Sequence, residues 1–189
     1  MIADKLKKSI LQAAIQGKLT QQLSTDGDAK DLLNQIREEK NKLIADKKIK
    51  PEKSLLDLED IEKDSGKIIN KKFFDVTNAT SSKNIFQCGN VLYGKLRVYL
   101  NKVVIADEDG YCTSEILPLN FGKNIFNRHA QIVLMSPMFV QYANKNSYGT
   151  KMPRLGTKAG QLALFPLPPL AEQKRIVERL EELLPLCEI

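Results

Sequence analysis

FPLPPLAEQKRIVERLEELLPLCEI, residues 165–189, changes character in its middle. The opening prolines make an extended, stiffened lead-in, because a residue before proline is driven out of the helical region. Behind it Gln173, Ile176, Val177, Leu180, Leu183 and Leu184 recur at alternating short steps, the spacing of a coiled-coil-type helix. Pro169 and Glu172 suit a helix N-terminus, one by ring geometry and the other by charge. Pro185 bends or stops the helix near its last turn. A helix of about 14 residues is marginal alone in water, so its apolar stripe demands a partner: the chain's first helix, the helix over 28–49 or another chain.

At the other end of the chain, Ile2, Leu6, Ile10 and Ala13/Ala14 predict a first helix, with Gly17 as its C-terminal cap. Asp28 is the N-cap of a second, carrying Leu32, Leu33, Ile36, Lys40, Leu43 and Ile44 on one face and ended by Pro51. Residues 55–72 are an acidic, then basic connector with little expected structure. Strand signals follow at Val91–Tyr93 and Val98–Ile105, then a turn at Asp107–Gly110 and a strand through Cys112 to Leu117, stopped by Pro118. Residues 128–145 return to helical spacing, with Ser136-Pro137 as a first-turn or kink position, and 146–161 form a loop. The expected class is α+β: a small mixed α/β domain over 55–164 between a helical region over 1–54 and a coiled-coil-type helix over 165–189.

With 189 residues, 42% hydrophobic and 28% charged, the composition is that of a folded protein. The length suits one domain of roughly 100–150 residues plus an appendage. No apolar run reaches the about 18 residues a membrane helix needs. The start MIADKLKKSI is charged and has no apolar signal core, so the expected location is cytoplasmic. Three widely spaced cysteines, Cys88, Cys112 and Cys187, make neither a zinc site nor a disulfide framework and read as ordinary thiols. A single histidine, His129, excludes His-rich metal cages and reads as a surface residue at a helix start. No catalytic residue, metal or cofactor is therefore expected. Charge is uneven: residues 65–160 hold 13 basic and 5 acidic side chains, a local excess that attracts polyanions such as nucleic acid or simply keeps the surface solvated.

Several stretches carry a family likeness. PLPPLAEQKRIVERLEELLPLCEI (166–189) resembles the conserved helical region of the specificity subunits of type I restriction-modification systems. ADKLKKSILQAAIQGKL (3–19), with LLNQIREEKNKLI behind it, is similar to the other end of that region. GNVLYGKLRVYLNKVVIAD (89–107), CTSEILPL (112–119) and SYGTKMPRL (147–155) resemble the later part of a target recognition domain. The resemblance implies a half-size or truncated subunit with one such domain, which reads half of a split site in double-stranded DNA. It implies no catalysis by this chain, since methyltransferase (M) and restriction (R) subunits do the chemistry. It also implies pairing with a second copy through the terminal helices, at Ile176, Val177, Leu180, Leu183 and Leu184. A competing expectation is an interaction protein that binds methyltransferase or full-length specificity subunits without reading DNA.

Two segments are candidates for DNA contact. Tyr93, Lys95, Arg97 and Tyr99 share one strand face at alternate positions, with Lys102 close behind, a strip suited to phosphate contact with aromatic support. The same strip also fits the solvent face of a half-buried strand. Ser147, Tyr148, Thr150, Lys151 and Arg154 form the second, in a loop where Gly149 and Gly156 free backbone amides and Arg154 can reach a guanine edge. A loop that only docks onto the helix entry at Phe165 fits it equally. The carboxylates Asp107, Glu108, Asp109 and Glu115 surround a turn and are explained as turn chemistry rather than a nuclease centre. No glycine-rich cofactor motif is present.

Overall fold

The computed structural model describes residues 2–23, 25–45, 54–73 and 82–187. Along the chain run α1 (Ile2–Ile15), α2 (Ala29–Ala45), β1 (Ser54–Leu56), β2 (Lys72–Phe73), β3 (Lys83–Phe86), β4 (Val91–Gly94), β5 (Val103–Ile105), β6 (Gly110–Thr113), β7 (Ile116–Leu119), α3 (Asn127–Met135), α4 (Pro137–Lys145), β8 (Ser147–Tyr148), β9 (Arg154–Leu155), α5 (Thr157–Gln161) and α6 (Leu170–Leu183). Short 3-10 turns lie at Leu58–Asp60, Val98–Leu100 and Pro185–Cys187. This is the mixed α+β class expected. Two compact units form: a helical one from Met1–Lys47, Phe121–Met138 and Leu164–Ile189, and a strand-rich one from Lys48–Asn120 and Phe139–Ala163. Among the described residues no helix is long and apolar enough to cross a membrane.

Two helix ends in the helical unit carry backbone-level caps. Gly17 takes φ 69°, and the Lys18 and Gly17 amides donate to the Ala13 and Ala14 carbonyls at 2.9 and 3.1 Å, the paired bonds of a Schellman cap. Asp28 Oδ1 accepts from the Lys30 amide at 2.9 Å and starts α2. The end expected for that helix at Pro51 lies outside the described residues, as do the side chains of Lys40, Leu43 and Ile44. Ser136 is extended at φ −66° and ψ 151° ahead of Pro137 and separates α3 from α4 as expected. Polar side chains pin the joints. The buried Gln173 accepts from the Phe126 amide at 2.8 Å and donates to the Pro168 carbonyl at 2.8 Å. Arg175 grips Asp26 through both terminal nitrogens, and the guanidinium holds that carboxyl below its ordinary range. Arg128 spans to Glu181 at 3.2 Å.

The core of this unit corrects two sequence expectations. Ile176, Val177 and Leu180, expected as a seam for another chain, are at most 3% exposed and pack with Ala14, Ile15, Ile132 and Val133. The stripe that a short helix must cover is covered by α1 and α3 of its own chain. Leu183 and Leu184 are half-buried, and Leu184 packs against the same cluster. His129 is not a surface residue: it is 1% exposed on α3, its ring 6.3 Å from that of Phe165, and burial pushes its pKa down to about 4.

In the strand-rich unit, one sheet has the order β2-β1-β6-β3, with β1 and β6 parallel and the other pairs antiparallel. Gly110 opens β6 opposite Ser54, where a Cβ would stand 2.7 Å from the Ser54 carbonyl oxygen and 2.8 Å from Phe86 Cζ. Only glycine lets the two strands and the Phe86 ring converge there. A second, antiparallel sheet has the order β5-β4-β7, and β8 and β9 form a hairpin. Leu56, Ile61, Phe86, Leu92, Val104, Ala106, Cys112 and Ile116 make the core.

Four sequence expectations change here. The connector 55–72 is structured: Leu56 and Ile61 point into the core, and Asp57 and Asp60 close a capping box around the 3-10 turn. Two of its acidic residues, Asp57 and Asp60, serve as caps between buried apolar ones. The single strand expected from Cys112 to Leu117 is two strands, β6 and β7, separated at Ser114 and Glu115 and belonging to different sheets. Pro118 does not stop β7 but lies within it opposite Leu92, tolerated because β7 is an edge strand. The front half of the expected strand 98–105 is a 3-10 turn.

Leu180→Ala should lower stability by about 2–5 kcal/mol, the range for emptying a packed core site. Urea unfolding checks it, and a loss near zero would contradict the intramolecular packing. His129 predicts an acid dependence. Its folded pKa lies below the unfolded value, so as pH falls below about 6.5 the unfolded chain takes up a proton that the folded chain refuses. Stability should decline by roughly 3 kcal/mol down to pH near 4, where the native ring also titrates. His129→Gln should flatten that part of the profile in thermal melts across the pH series.

Candidate nucleic-acid interface

The site is built where β4 ends. Gly94 still pairs with the sheet, its amide donating to the Lys102 carbonyl at 2.9 Å. The next residues leave it. The Lys95 amide donates to the Glu115 carbonyl at 2.9 Å, the Arg97 amide to the Pro153 carbonyl at 2.7 Å, and the Leu155 amide returns to the Lys95 carbonyl at 2.9 Å. An antiparallel bridge joins Leu96 and Arg154. Arg97 (φ 51°, ψ 55°) and Asn101 (φ 50°, ψ 49°) are both left-handed and bracket the turn Val98–Leu100, whose Val98 is buried. Asparagine tolerates that conformation, whereas arginine holds it only where its surroundings enforce it.

This geometry breaks the strip expected from the sequence. Alternation onto one face requires continuously extended backbone, and the left-handed Arg97 interrupts it. Tyr93 is 5% exposed, its ring edge-on to Phe139 at 5.6 Å, and burial pushes its hydroxyl well above the ordinary range. It is a core residue, not a surface contact. Lys102 donates through Nζ to the Leu58 carbonyl at 2.7 Å and braces the 3-10 turn there. Lys95 is half-buried, and Arg97 and Tyr99 are exposed.

The second candidate segment is a hairpin rather than a loop. Tyr148 lies opposite Arg154 and Ser147 opposite Leu155, while Gly149 at φ 96° turns the chain into the tip. Ser147 donates to the Ala143 carbonyl at 2.7 Å, which ties the hairpin to the end of α4. Tyr148, Thr150, Lys151 and Met152 are exposed. Arg154 is engaged: its guanidinium donates to Glu115 Oε1 at 2.6 Å.

The structure thus joins the two segments that the sequence nominates separately. Among the described residues Lys95, Arg97 and Lys151 form no ion pair, whereas Lys71 is paired with Asp107 at 2.6 Å and Lys72 with Glu59 at 2.7 Å. The acidic turn is laced internally: Lys71 holds the Asp107 carboxyl below its ordinary range, and Asp109 accepts from the Cys88 amide at 2.7 Å. Cys88 is exposed, the Cys112 thiol is pushed up to about 12 by burial, and the Cys187 side chain lies outside the described residues. Uncompensated cations beside exposed tyrosines suit non-covalent contact with a polyanion carrying flat bases. The partnership of Glu115 with Arg154, 39 positions apart, has no signal in the sequence.

A family model described as the type I restriction modification DNA specificity domain matches residues 51–189. The type I restriction enzyme EcoDI specificity subunit of Escherichia coli is 35% identical over 104 residues, covering 55% of this chain and 23% of the relative. The EcoAI specificity subunit of the same organism is 27% identical over 236 aligned positions, covering 97% of this chain and 40% of the relative. The chain spans less than half the length of these curated relatives. In fold it is similar to the HsdS subunit from Thermoanaerobacter tengcongensis, with TM-score 0.60, 23% identity, and coverage of 69% of this chain and 35% of that one. It is likewise similar to a chain solved in work on complex assembly and conformational transition of the type I R-M system, with TM-score 0.64, 22% identity, and coverage of 71% and 36%.

Because left-handed backbone strains a side chain with a Cβ, Arg97→Gly should raise stability by about 0.5–1 kcal/mol. Chemical denaturation measures it, and a destabilised variant would mean that the guanidinium itself holds the turn.

Proposed function

This chain belongs to the type I restriction modification DNA specificity domain family, and from that premise we propose that it is a DNA-reading component of a type I restriction-modification system. The observation that carries the proposal is the hydrogen-bonded junction of residues 95–97 with 153–155, which gathers exposed Arg97, Tyr99, Tyr148, Thr150 and Lys151 on the strand-rich unit. Arg97, Lys151 and the half-buried Lys95 supply phosphate contacts, and so most of the affinity, by releasing counterions. Tyr99, Tyr148 and Thr150 present hydroxyls and rings to base edges. Ser147 holds the hairpin through the Ala143 carbonyl rather than reaching DNA. The recognition domain is the sequence span 55–164, flanked by helical regions over 1–54 and 165–189.

The chain performs no bond chemistry in this role. Methylation and cleavage belong to methyltransferase and restriction subunits that assemble with it, and work on chromosomal DNA fits a cytoplasmic location. Uncompensated cations favour DNA reading over a helix-only adaptor, which has no use for them.

Fluorescence polarisation of a labelled DNA duplex over a salt series tests the proposal. Affinity should fall steeply with salt, and Arg97→Ala with Lys151→Ala should reduce the log–log salt slope by roughly two while leaving the melting temperature unchanged. A chain with no duplex affinity at any salt is the adaptor instead.

A further inference from the structure

We propose that Glu115 and Arg154 form a clasp that positions the DNA-contacting turn, so that Arg154 acts through Arg97 and Tyr99 rather than on DNA; this rests on the DNA-reading role proposed above. Three observations carry it. Arg154 is committed to Glu115 Oε1 at 2.6 Å, and Glu115 Oε2 is buried without a hydrogen-bond partner among the described residues. The Glu115 carboxylate is only 23% exposed, so without its guanidinium partner it would be a poorly solvated, uncompensated charge. Moving Arg154 onto a phosphate is opposed for that reason.

The clasp also stands at the crossing of three segments. Glu115 accepts the Lys95 amide through its own carbonyl, Leu96 bridges to Arg154, and Pro153 accepts the Arg97 amide. Side-chain pair and backbone bonds therefore close one ring around residues 95–97. The left-handed state of Arg97 has to be enforced from outside, and this ring is what surrounds it. Release of the pair frees the hairpin from the turn and lets Arg97 relax, moving both exposed cation and exposed Tyr99 away from the Lys151 tip.

Simple electrostatics and positioning predict opposite signs. Neutralising Glu115 makes the face more cationic, so a guanidinium that touched DNA would be freed and duplex binding would hold or tighten. Positioning predicts that Glu115→Gln binds a labelled mixed-sequence duplex more weakly, by roughly tenfold. Arg154→Lys retains the charge but not the forked geometry, and should lose affinity similarly, whereas a phosphate contact would survive it. Hydrogen exchange supplies a readout independent of DNA: the Arg97 and Leu155 amides should exchange faster in both variants, with the global melting temperature little changed. Equal or tighter binding by Glu115→Gln, or wild-type binding by Arg154→Lys, overturns the clasp. If the wild-type chain binds no duplex, the DNA reading itself has failed, and the exchange rates still show whether the pair holds the turn.

Discussion

Past Gly94 the chain leaves the sheet while still partly buried, and the amides and carbonyls of residues 95–97 must find partners that a neighbouring strand no longer provides. The Glu115 carbonyl, the Pro153 carbonyl and the Leu155 amide meet that need. The rest of the candidate interface hangs on this solution. It fixes where the β8–β9 hairpin lies, it encloses Arg97 in a conformation that residue would not choose, and it leaves the 3-10 turn anchored by buried Val98 with Tyr99 outward. Backbone satisfaction, not side-chain alternation, decides which cations face solvent.

The helical unit answers a different demand by similar economy. A short amphipathic helix cannot stand alone, and α6 meets its complement in α1 and α3, brought from opposite ends of the sequence. Its polar residues are equally occupied. Gln173 joins the N-terminal end of α3 to the proline lead-in, and Arg175 fastens the segment after α1 through Asp26. Apart from Ala171, the exposed residues of α6 are charged.

Helices were legible wherever local physics was sufficient. Gly17, Asp28, Pro137 and Pro169 mark boundaries through backbone chemistry that acts within a few residues, and each stands at its expected place. Which surface an apolar stripe covers is not local, so Leu180 reads the same in sequence whether its partner is another chain or α1. The acidic connector was opaque because carboxylates that cap a turn look like carboxylates that merely solvate one, and Leu56 and Ile61 are too few to show a period. Simple alternation puts Tyr93, Lys95, Arg97 and Tyr99 on one face; a left-handed residue with a long side chain announces itself by no residue type, unlike glycine. Lys151 and Tyr148 were legible as exposed because Gly149 and Pro153 mark a turn whatever packs beneath it. Arg154 was legible as a cation and not as a partner of Glu115.

The chain passes between its two units more than once, and Phe121–Met138 returns to the helical one before the strand-rich unit is finished. Transplanting the candidate interface into a related scaffold is therefore not a matter of exchanging one continuous cassette. A cut spanning 48–163 would carry foreign versions of Phe126, Arg128, Ile132 and Val133 into a host that must match them with its own Gln173, Glu181, Ile176 and Leu180. An exchange that preserves the packing of the helical unit would instead splice on either side of that returning segment and leave Phe121–Met138 with its own helices.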